Sequence, residues 1–256
     1  GRYDYNFISV YYFENDVLLN PIHNYSNANG SISYAYNFSD SLIFRSNIGS
    51  AWRPPSINEL YSNGLHHGAA SLEYGAQNLN SEQVYNLNTS LEKKWKKVEI
   101  STQLYANYFE NYIYLAPTGE SELTIRGAFP VYQFEQIKAW LNGWDFEADI
   151  HLTKDFDFEF GTSILRAKNQ TDNEFLWGMP SDEVKASLSY SPNIGKHFKK
   201  TNFRLNSTHT TKQQRFHSNA DFVNPPSAYT LLNFEAYTVL NIKTPLTLYF
   251  NINNFL

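Results

Sequence analysis

The stretch from residue 50 to residue 71 reads SAWRPPSINELYSNGLHHGAAS and contains two adjacent histidines, His66 and His67. Imidazole is the commonest protein ligand for metals, and it suits zinc, iron and copper. Neighbouring side chains of a regular strand point to opposite faces, so this pair could chelate one ion only from an irregular loop. A transition-metal site would also want a third ligand, and Glu73 is the nearest carboxylate.

Haem is a different possibility, because its iron needs only one histidine, with Tyr61 or Tyr74 as a possible partner. The candidate substrate-binding residues are therefore His66, His67, Tyr61 and Tyr74, with His66 and His67 as the speculative metal ligands. The competing interpretation is that both histidines are ordinary loop residues. The residues alone leave both interpretations open.

These residues interrupt a chain whose main signal is alternation between apolar and polar residues. In VEISTQLYANY, Val98 and Ile100 share one face and Glu99 and Ser101 share the other. A period of two predicts strands with one apolar and one polar face, and helical windows of comparable length are absent. We count about eleven strands, near residues 2–10, 29–38, 41–52, 82–93, 97–114, 131–153, 156–168, 183–192, 199–211, 227–241 and 246–255.

The connections between these strands fall into two length classes that alternate along the chain. Five are short, and five are long, the long ones lying near residues 11–28, 53–81, 115–130, 169–182 and 212–226. Short turns at one end and long loops at the other are typical of outer-membrane barrels. A soluble β-sandwich has shorter strands, and its connections do not sort in this way. The prediction is an all-β, transmembrane, antiparallel up-and-down β-barrel.

The composition and the absence of certain motifs argue against several other classes of protein. The net charge of −5 disfavours nucleic-acid binding, and the absence of Cys excludes disulfides and thiolate metal sites. No stretch approaches the roughly 18 apolar residues of a membrane helix. The chain has no G-x-S-x-G, phosphate loop, HExxH or EF-hand loop, so we expect no enzyme and no cofactor.

Two segments resemble a known family. Residues 46–82 are similar to a signature of TonB-dependent outer-membrane receptors, in which a strand ends in an aromatic-Arg-x-Pro step and leads into an N-E-L-Y-like turn. Residues 129–152 resemble the long strand of the same family, with its G-x-E-like core. The motif residues, which we expect to be structural, are Arg53, Pro54, Pro55, Asn58, Glu59, Leu60, Glu82, Gly143 and Glu147.

The resemblance implies a 22-stranded barrel closed by a plug domain, a size that suits outer-membrane transporters. About half of that barrel would be present, with residues 1–256 as one partial receptor barrel domain and the plug absent from this chain. Both ends of the sequence read as strands, which we interpret as a fragment of a longer chain.

The function implied is active import of a solute across the bacterial outer membrane, in which the chain would be a multi-pass protein. The expected partners are an iron chelate or another small solute, the TonB complex through the missing plug and N-terminus, and outer-membrane lipid, with no nucleic acid. A ferric siderophore is the first choice of cargo. Haem or zinc is the alternative, because some members of the family bind these ligands through loop histidines, and a cobalamin-like or glycan cargo comes third. Hypotheses of another class are a passive porin and a soluble adhesive β-domain.

The local chemistry of the loop allows further predictions. Ser56 followed by Glu59 is a capping-box pattern, which predicts one or two helical turns after Pro55, and Gly64 is a suitable stop for that helix. Arg53 is expected to pair with Glu59 or with Glu82.

Overall fold

The computed structural model describes residues 1–14, 16–216 and 224–255. Over these residues the alternating sequence forms strands almost throughout, as expected for segments rich in Tyr, Phe, Thr, Val and Ile. In chain order the elements are β1 (Arg2–Ser9), β2 (Tyr12–Glu14), β3 (Val17–Leu19), β4 (Ile22–Ser39), β5 (Leu42–Arg53), α1 (Ile57–Tyr61), β6 (Asn63–His66), β7 (Ser71–Tyr74), β8 (Glu82–Lys94), β9 (Val98–Thr124), β10 (Gly127–His151), β11 (Phe156–Asn169), β12 (Glu174–Phe175), β13 (Glu183–Tyr190), β14 (Phe198–Thr210), β15 (Tyr229–Leu240) and β16 (Leu246–Ile252).

The long strands form one continuous antiparallel sheet, in the order β1-β4-β5-β8-β9-β10-β11-β13-β14-β15-β16. Each of these eleven strands pairs with the next one along the chain, so the predicted up-and-down arrangement of eleven strands is confirmed. Strands β1 and β16 are the two edges of the described sheet, which is open. The short strands β2, β3, β6, β7 and β12 all lie in the long connections.

The register sorts the side chains of the sheet into two faces, because directly opposed residues of an antiparallel pair lie on the same side. The row that crosses β10 to β16 on one face is wholly apolar and consists of Ile150, Phe158, Leu188, Leu205, Phe234 and Ile252. The adjacent row, on the other face, is polar and consists of Asp149, Glu159, Ser187, Asn206 and Asn233. We call these the apolar face and the polar face.

The two ends of the sheet also differ. Five short turns join the strands at one end, and the connections at the other end are long except for the two-residue turn between β9 and β10. Two of the long connections are more ordered than predicted. Residues 115–130 are not a loop, since β9 continues to Thr124 and β10 begins at Gly127. The loop 11–28 is likewise shorter, because β4 begins at Ile22 and β2 pairs with β3. Part of the predicted loop 212–226 lies outside the described residues.

The most buried side chains of the described chain gather at the long-connection end. One cluster contains Ile137, Ala139, Ala167 and Leu176, and the other contains Leu60, Leu79 and Ile113. The long connections therefore pack against the extended strands and one another. Within the described part of the chain, no helix is long and apolar enough to span a membrane.

Candidate ligand-binding loops

The connection between β5 and β8, residues 54–81, begins with a short helix whose start follows the predicted pattern. Ser56 is the N-cap of α1, its hydroxyl accepts a hydrogen bond from the Glu59 amide, and the Glu59 carboxylate accepts one from the Ser56 amide. The capping box is therefore confirmed. The prediction that Gly64 stops the helix is wrong, because α1 ends at Tyr61 with Ser62 as its C-cap. Gly64 instead lies in β6 with a φ of 140°, a backbone conformation that favours glycine.

Arg53, the last residue of β5, joins this helix to the neighbouring strands. Its Nη1 lies 2.9 Å from Glu59 Oε2, and its Nε and Nη2 donate to the two carboxylate oxygens of Glu82 at 3.3 and 3.2 Å. The predicted pairing is confirmed, and it involves both carboxylates. Glu82 Oε2 also accepts from the buried amide of Ile113 in β9, at 2.9 Å. One guanidinium thus connects α1, β5, β8 and β9.

Gly75 closes the same connection by letting two backbones approach. Its amide donates to the Ser62 carbonyl at 2.7 Å, and the next amide, of Ala76, donates to the Glu59 carbonyl at 2.9 Å. A Cβ at residue 75 would lie 2.6 Å from the carbonyl carbon of Leu60 and from the amide nitrogen of Tyr61. Only glycine fits here, so the end of α1 is held against the chain that leaves β7.

The strand β7 also fixes the connection to the longest hairpin of the protein. It pairs with β6 on one side and, in parallel, with residues 131–133 of β10 on the other. The β9–β10 hairpin therefore stands next to the helix and the histidines rather than apart from them. Parallel pairing to a strand almost 60 residues away cannot be inferred from alternation.

The two histidines have different neighbours. His66 Nδ1 lies 2.8 Å from Glu73 Oε1, which also accepts from the Ser71 hydroxyl, and the His66 side chain is 60% exposed. His67 lies beside Arg126, whose Nη1 is 3.3 Å from a ring nitrogen. Within the described residues, no group of three or more His, Cys, Asp or Glu side chains is arranged to hold a metal ion. The metal and haem roles of His66 and His67 stay predictions.

Tyr61 lies in an aromatic cluster that sequence reasoning missed. Its hydroxyl is 2.5 Å from His23 Nε2, and its ring centroid is 5.4 Å from that of Tyr12 and 5.7 Å from that of His23. Tyr25 stacks on His23, with ring centroids 6.2 Å apart. Tyr61 and His23 are separated by 38 residues, so no local motif joins them.

Tyr74 lies on the opposite side of the connection, against the long hairpin. Its hydroxyl donates to Glu122 Oε2 at 2.9 Å. This hydrogen bond, with a smaller contribution from burial, raises the pKa of Tyr74. Tyr61 and Tyr74 are thus presented by one connection to two different neighbours, with the histidines between them in sequence.

A small acidic pocket is the second feature that the sequence did not reveal. It has a volume of about 130 Å³ and lies between the outer parts of β9, β10 and the β11–β13 connection. Its lining combines aromatic and acidic side chains, among them Tyr114, Glu135, Asp172, Glu174 and Trp177. Burial, followed by the charge of Glu135, raises the pKa of Tyr114 to about 12. The phenol of Tyr114 is therefore protonated at neutral pH.

The second motif lies on the polar face of the sheet, away from the loops. Gly143 is opposite Tyr105, and a Cβ at residue 143 would lie within 2.1 Å of the Tyr105 ring carbon Cζ and hydroxyl oxygen. The glycine leaves room for a tyrosine ring to lie across the neighbouring strand. Glu147 lies on the same face, opposite Ser101 and Gly161. These positions fit the expected structural role, which otherwise stays a prediction.

The family described as TonB dependent receptor-like, beta-barrel matches residues 1–255. The chain belongs to this family. Its members are transport receptors of the bacterial outer membrane, not enzymes. No curated protein sequence matches the chain closely enough to show a relative.

Solved structures of receptors share the fold of this TonB-dependent receptor chain at low sequence identity. The copper transporter OprC has a TM-score of 0.73 and 16% identity, over 92% of this chain and 34% of that one. The ferric enterobactin receptor PfeA of Pseudomonas aeruginosa has a TM-score of 0.66 and 15% identity, over 93% and 37%. The siderophore receptor PirA of Acinetobacter baumannii has a TM-score of 0.64 and 13% identity, over 90% and 37%. The chain thus spans little more than a third of these receptors.

Proposed function

We propose that this chain is part of the barrel of an outer-membrane receptor that binds an iron chelate, most simply a ferric siderophore, and imports it with TonB-coupled energy. The observation that carries the proposal is the arrangement of the β5–β8 connection. This connection is tied to the strands by Arg53, and it presents Tyr61, Tyr74 and His66 at one end of a barrel-family sheet. Receptors of ferric enterobactin and of siderophores are among the similar structures.

The loop chemistry supports a small, oxygen-rich chelate as the ligand. Phenol hydroxyl groups can donate hydrogen bonds to chelate oxygens, and aromatic rings supply flat apolar surface, which is how ligand sites combine affinity with orientation. Tyr12 and Tyr61 offer both features at the long-connection end of the sheet, whereas Tyr74, whose hydroxyl hydrogen is donated to Glu122, offers its ring and a hydroxyl oxygen that can accept. A passive porin needs no such built loop. The TonB complex is the proposed partner, acting through a plug that this chain does not include.

A panel titration tests the proposal. The complete receptor, purified in detergent, is titrated with a ferric catecholate, a ferric hydroxamate, a copper complex and haem, and quenching of tryptophan fluorescence is recorded. One ferric chelate is expected to bind tightly. Tyr61→Phe and Tyr74→Phe are each expected to weaken this binding about 2- to 10-fold, the loss of one hydrogen bond. Tyr34→Phe, on the apolar face, is the control and is expected to change nothing. Binding of the copper complex alone would refute the iron assignment.

Haem or zinc is the second candidate, and one observation favours it at His66 in particular. Metal-binding histidines commonly donate the N–H of their second ring nitrogen to a carboxylate, and His66 Nδ1 is held by Glu73. His67 is less suited, since a guanidinium lies against its ring. If haem is the cargo, His66→Ala abolishes the haem absorption shift and His67→Ala does not. Unchanged spectra for both variants would refute this candidate.

A further inference from the structure

A groove lies on the apolar face of the sheet, near the short-turn end, across strands β14, β15 and β16. It has a volume of about 310 Å³, within the lower range of ligand pockets. Its walls are large apolar side chains, Ile194, Phe198, Phe203, Leu248 and Phe250. The groove is separate from the candidate ligand-binding loops, because the long connections are at the other end of the sheet.

The groove exists because small residues form its floor. Ala236 lies opposite both Phe203 and Phe250, so a small side chain stands between two large ones. Next to it, Thr201 and Thr238 bond to each other through their hydroxyl oxygens at 2.7 Å. A β-bulge between Lys199 and Asn202 breaks the register at this point, and bulges bend a strand locally. The floor is therefore mostly apolar, and its two hydroxyl groups are hydrogen-bonded to each other.

Two lysines lie in the turns at the end of the groove. The turn before β14 and the turn before β16 are bonded to each other, since the Asn241 amide donates to the His197 carbonyl at 2.9 Å and its Nδ2 donates to the Lys196 carbonyl at 3.1 Å. Lys196 lies in the first of these turns and Lys243 in the second, and Ile194 and Phe198, on either side of Lys196 in sequence, line the groove. The segments 191–203 and 236–252 contain no Asp or Glu. Across the described residues, neither of these two lysines forms an ion pair.

We propose that this groove binds an anionic phospholipid from the membrane leaflet at the short-turn end. An acyl chain lies between Phe203 and Phe250, and the phosphate is held by the lysines of the two turns. A phospholipid matches both the basic turns and the apolar groove, because basic side chains next to a membrane attract lipid phosphates and apolar grooves accept hydrocarbon. A peptide would bring unpaired backbone groups against hydrocarbon, which is costly.

The test is native mass spectrometry of the complete receptor, titrated in detergent with phosphatidylglycerol or with phosphatidylcholine. The charge variant replaces Lys196 and Lys243 with Gln. The matched control replaces two lysines of another short turn, Lys96 and Lys97, with Gln. The control removes the same number of lysines at the same end of the sheet, but from the β8–β9 turn, whereas the groove lies across β14, β15 and β16.

We expect phosphatidylglycerol to bind at one site more tightly than phosphatidylcholine. The charge variant weakens this binding about tenfold or more, while the control weakens it little. Ala236→Leu, which fills the groove with an apolar side chain that tolerates lipid, removes the bound lipid without changing the charge. The proposal is overturned if phosphatidylcholine binds equally well, if the control has the same effect as the charge variant, or if Ala236→Leu leaves binding unchanged.

Discussion

Glu82 offers the sharpest test of how the β5–β8 connection is held in place. Its carboxylate accepts from Arg53 and from the Ile113 amide, and its side chain is only 11% exposed. Glu82→Gln keeps the shape but replaces one acceptor oxygen with a donor. If the amide nitrogen replaces Oε1, Arg53 Nε faces an N–H group, and if it replaces Oε2, both Arg53 Nη2 and the Ile113 amide do so.

The free-energy cost of Glu82→Gln follows from these contacts. An unsatisfied buried donor costs about 1–3 kcal/mol. The ion pair adds only about 0.2–1 kcal/mol, because the Arg53 side chain is 42% exposed and water screens it. The sum is about 2 kcal/mol, which corresponds to a roughly 30-fold larger open fraction of the connection.

Hydrogen exchange of the complete receptor, read by mass spectrometry, measures this opening directly. Peptides that cover residues 56–76 are expected to exchange about 30-fold faster in the Glu82→Gln variant. The control is Glu92→Gln, which breaks an ion pair with Arg45 farther along the same strand. Equal exchange in wild type and Glu82→Gln, or the same acceleration in the control, would refute the reasoning.

Three further predictions concern particular side chains. Gly75→Ala forces a Cβ to within 2.6 Å of the Leu60 backbone, so it is expected to destabilise the β5–β8 connection by about 1–3 kcal/mol in the same exchange assay. Gly143→Val displaces the Tyr105 ring and is expected to lower the yield of heat-modifiable, folded barrel on gels. Because the pKa of Tyr114 is raised to about 12 in the folded state, part of the stability is lost as pH rises from about 10 to 12. Urea titrations are expected to show a smaller loss in Tyr114→Phe.

Each of these has a control or a contradicting result. Gly68→Ala is the control for Gly75, because its Cβ would meet only a histidine ring nitrogen at 3.8 Å. Gly161→Ala is the control for Gly143, since its nearest contact would be 3.7 Å away. An equal pH dependence in wild type and Tyr114→Phe would contradict the assignment of the raised pKa.

The parts of the structure that sequence predicted are those with a strong local signal. The eleven strands follow from alternation, because one face is apolar and the other polar over whole strands. The capping box of α1 and the pairing of Arg53 with Glu59 and Glu82 follow from residue types at short spacing or at the bases of adjacent strands.

The parts that sequence missed lack such a signal. The outer halves of β9 and β10 contain Pro117, Gly119 and Pro130 and have polar residues on both faces, so they resemble a loop. The pairing of Tyr61 with His23 and the acidic pocket around Tyr114 join residues from separate segments, and one sequence cannot reveal which segments meet.

The central claim is TonB-coupled import of an iron chelate, and accumulation of a radioactive ferric chelate in cells tests it most directly. Cells that express the complete receptor are compared with cells that lack it and with cells that lack TonB. We predict accumulation only when the receptor and TonB are both present. Equal accumulation without TonB would contradict active transport, and no accumulation of any ferric chelate would contradict the assignment of the cargo.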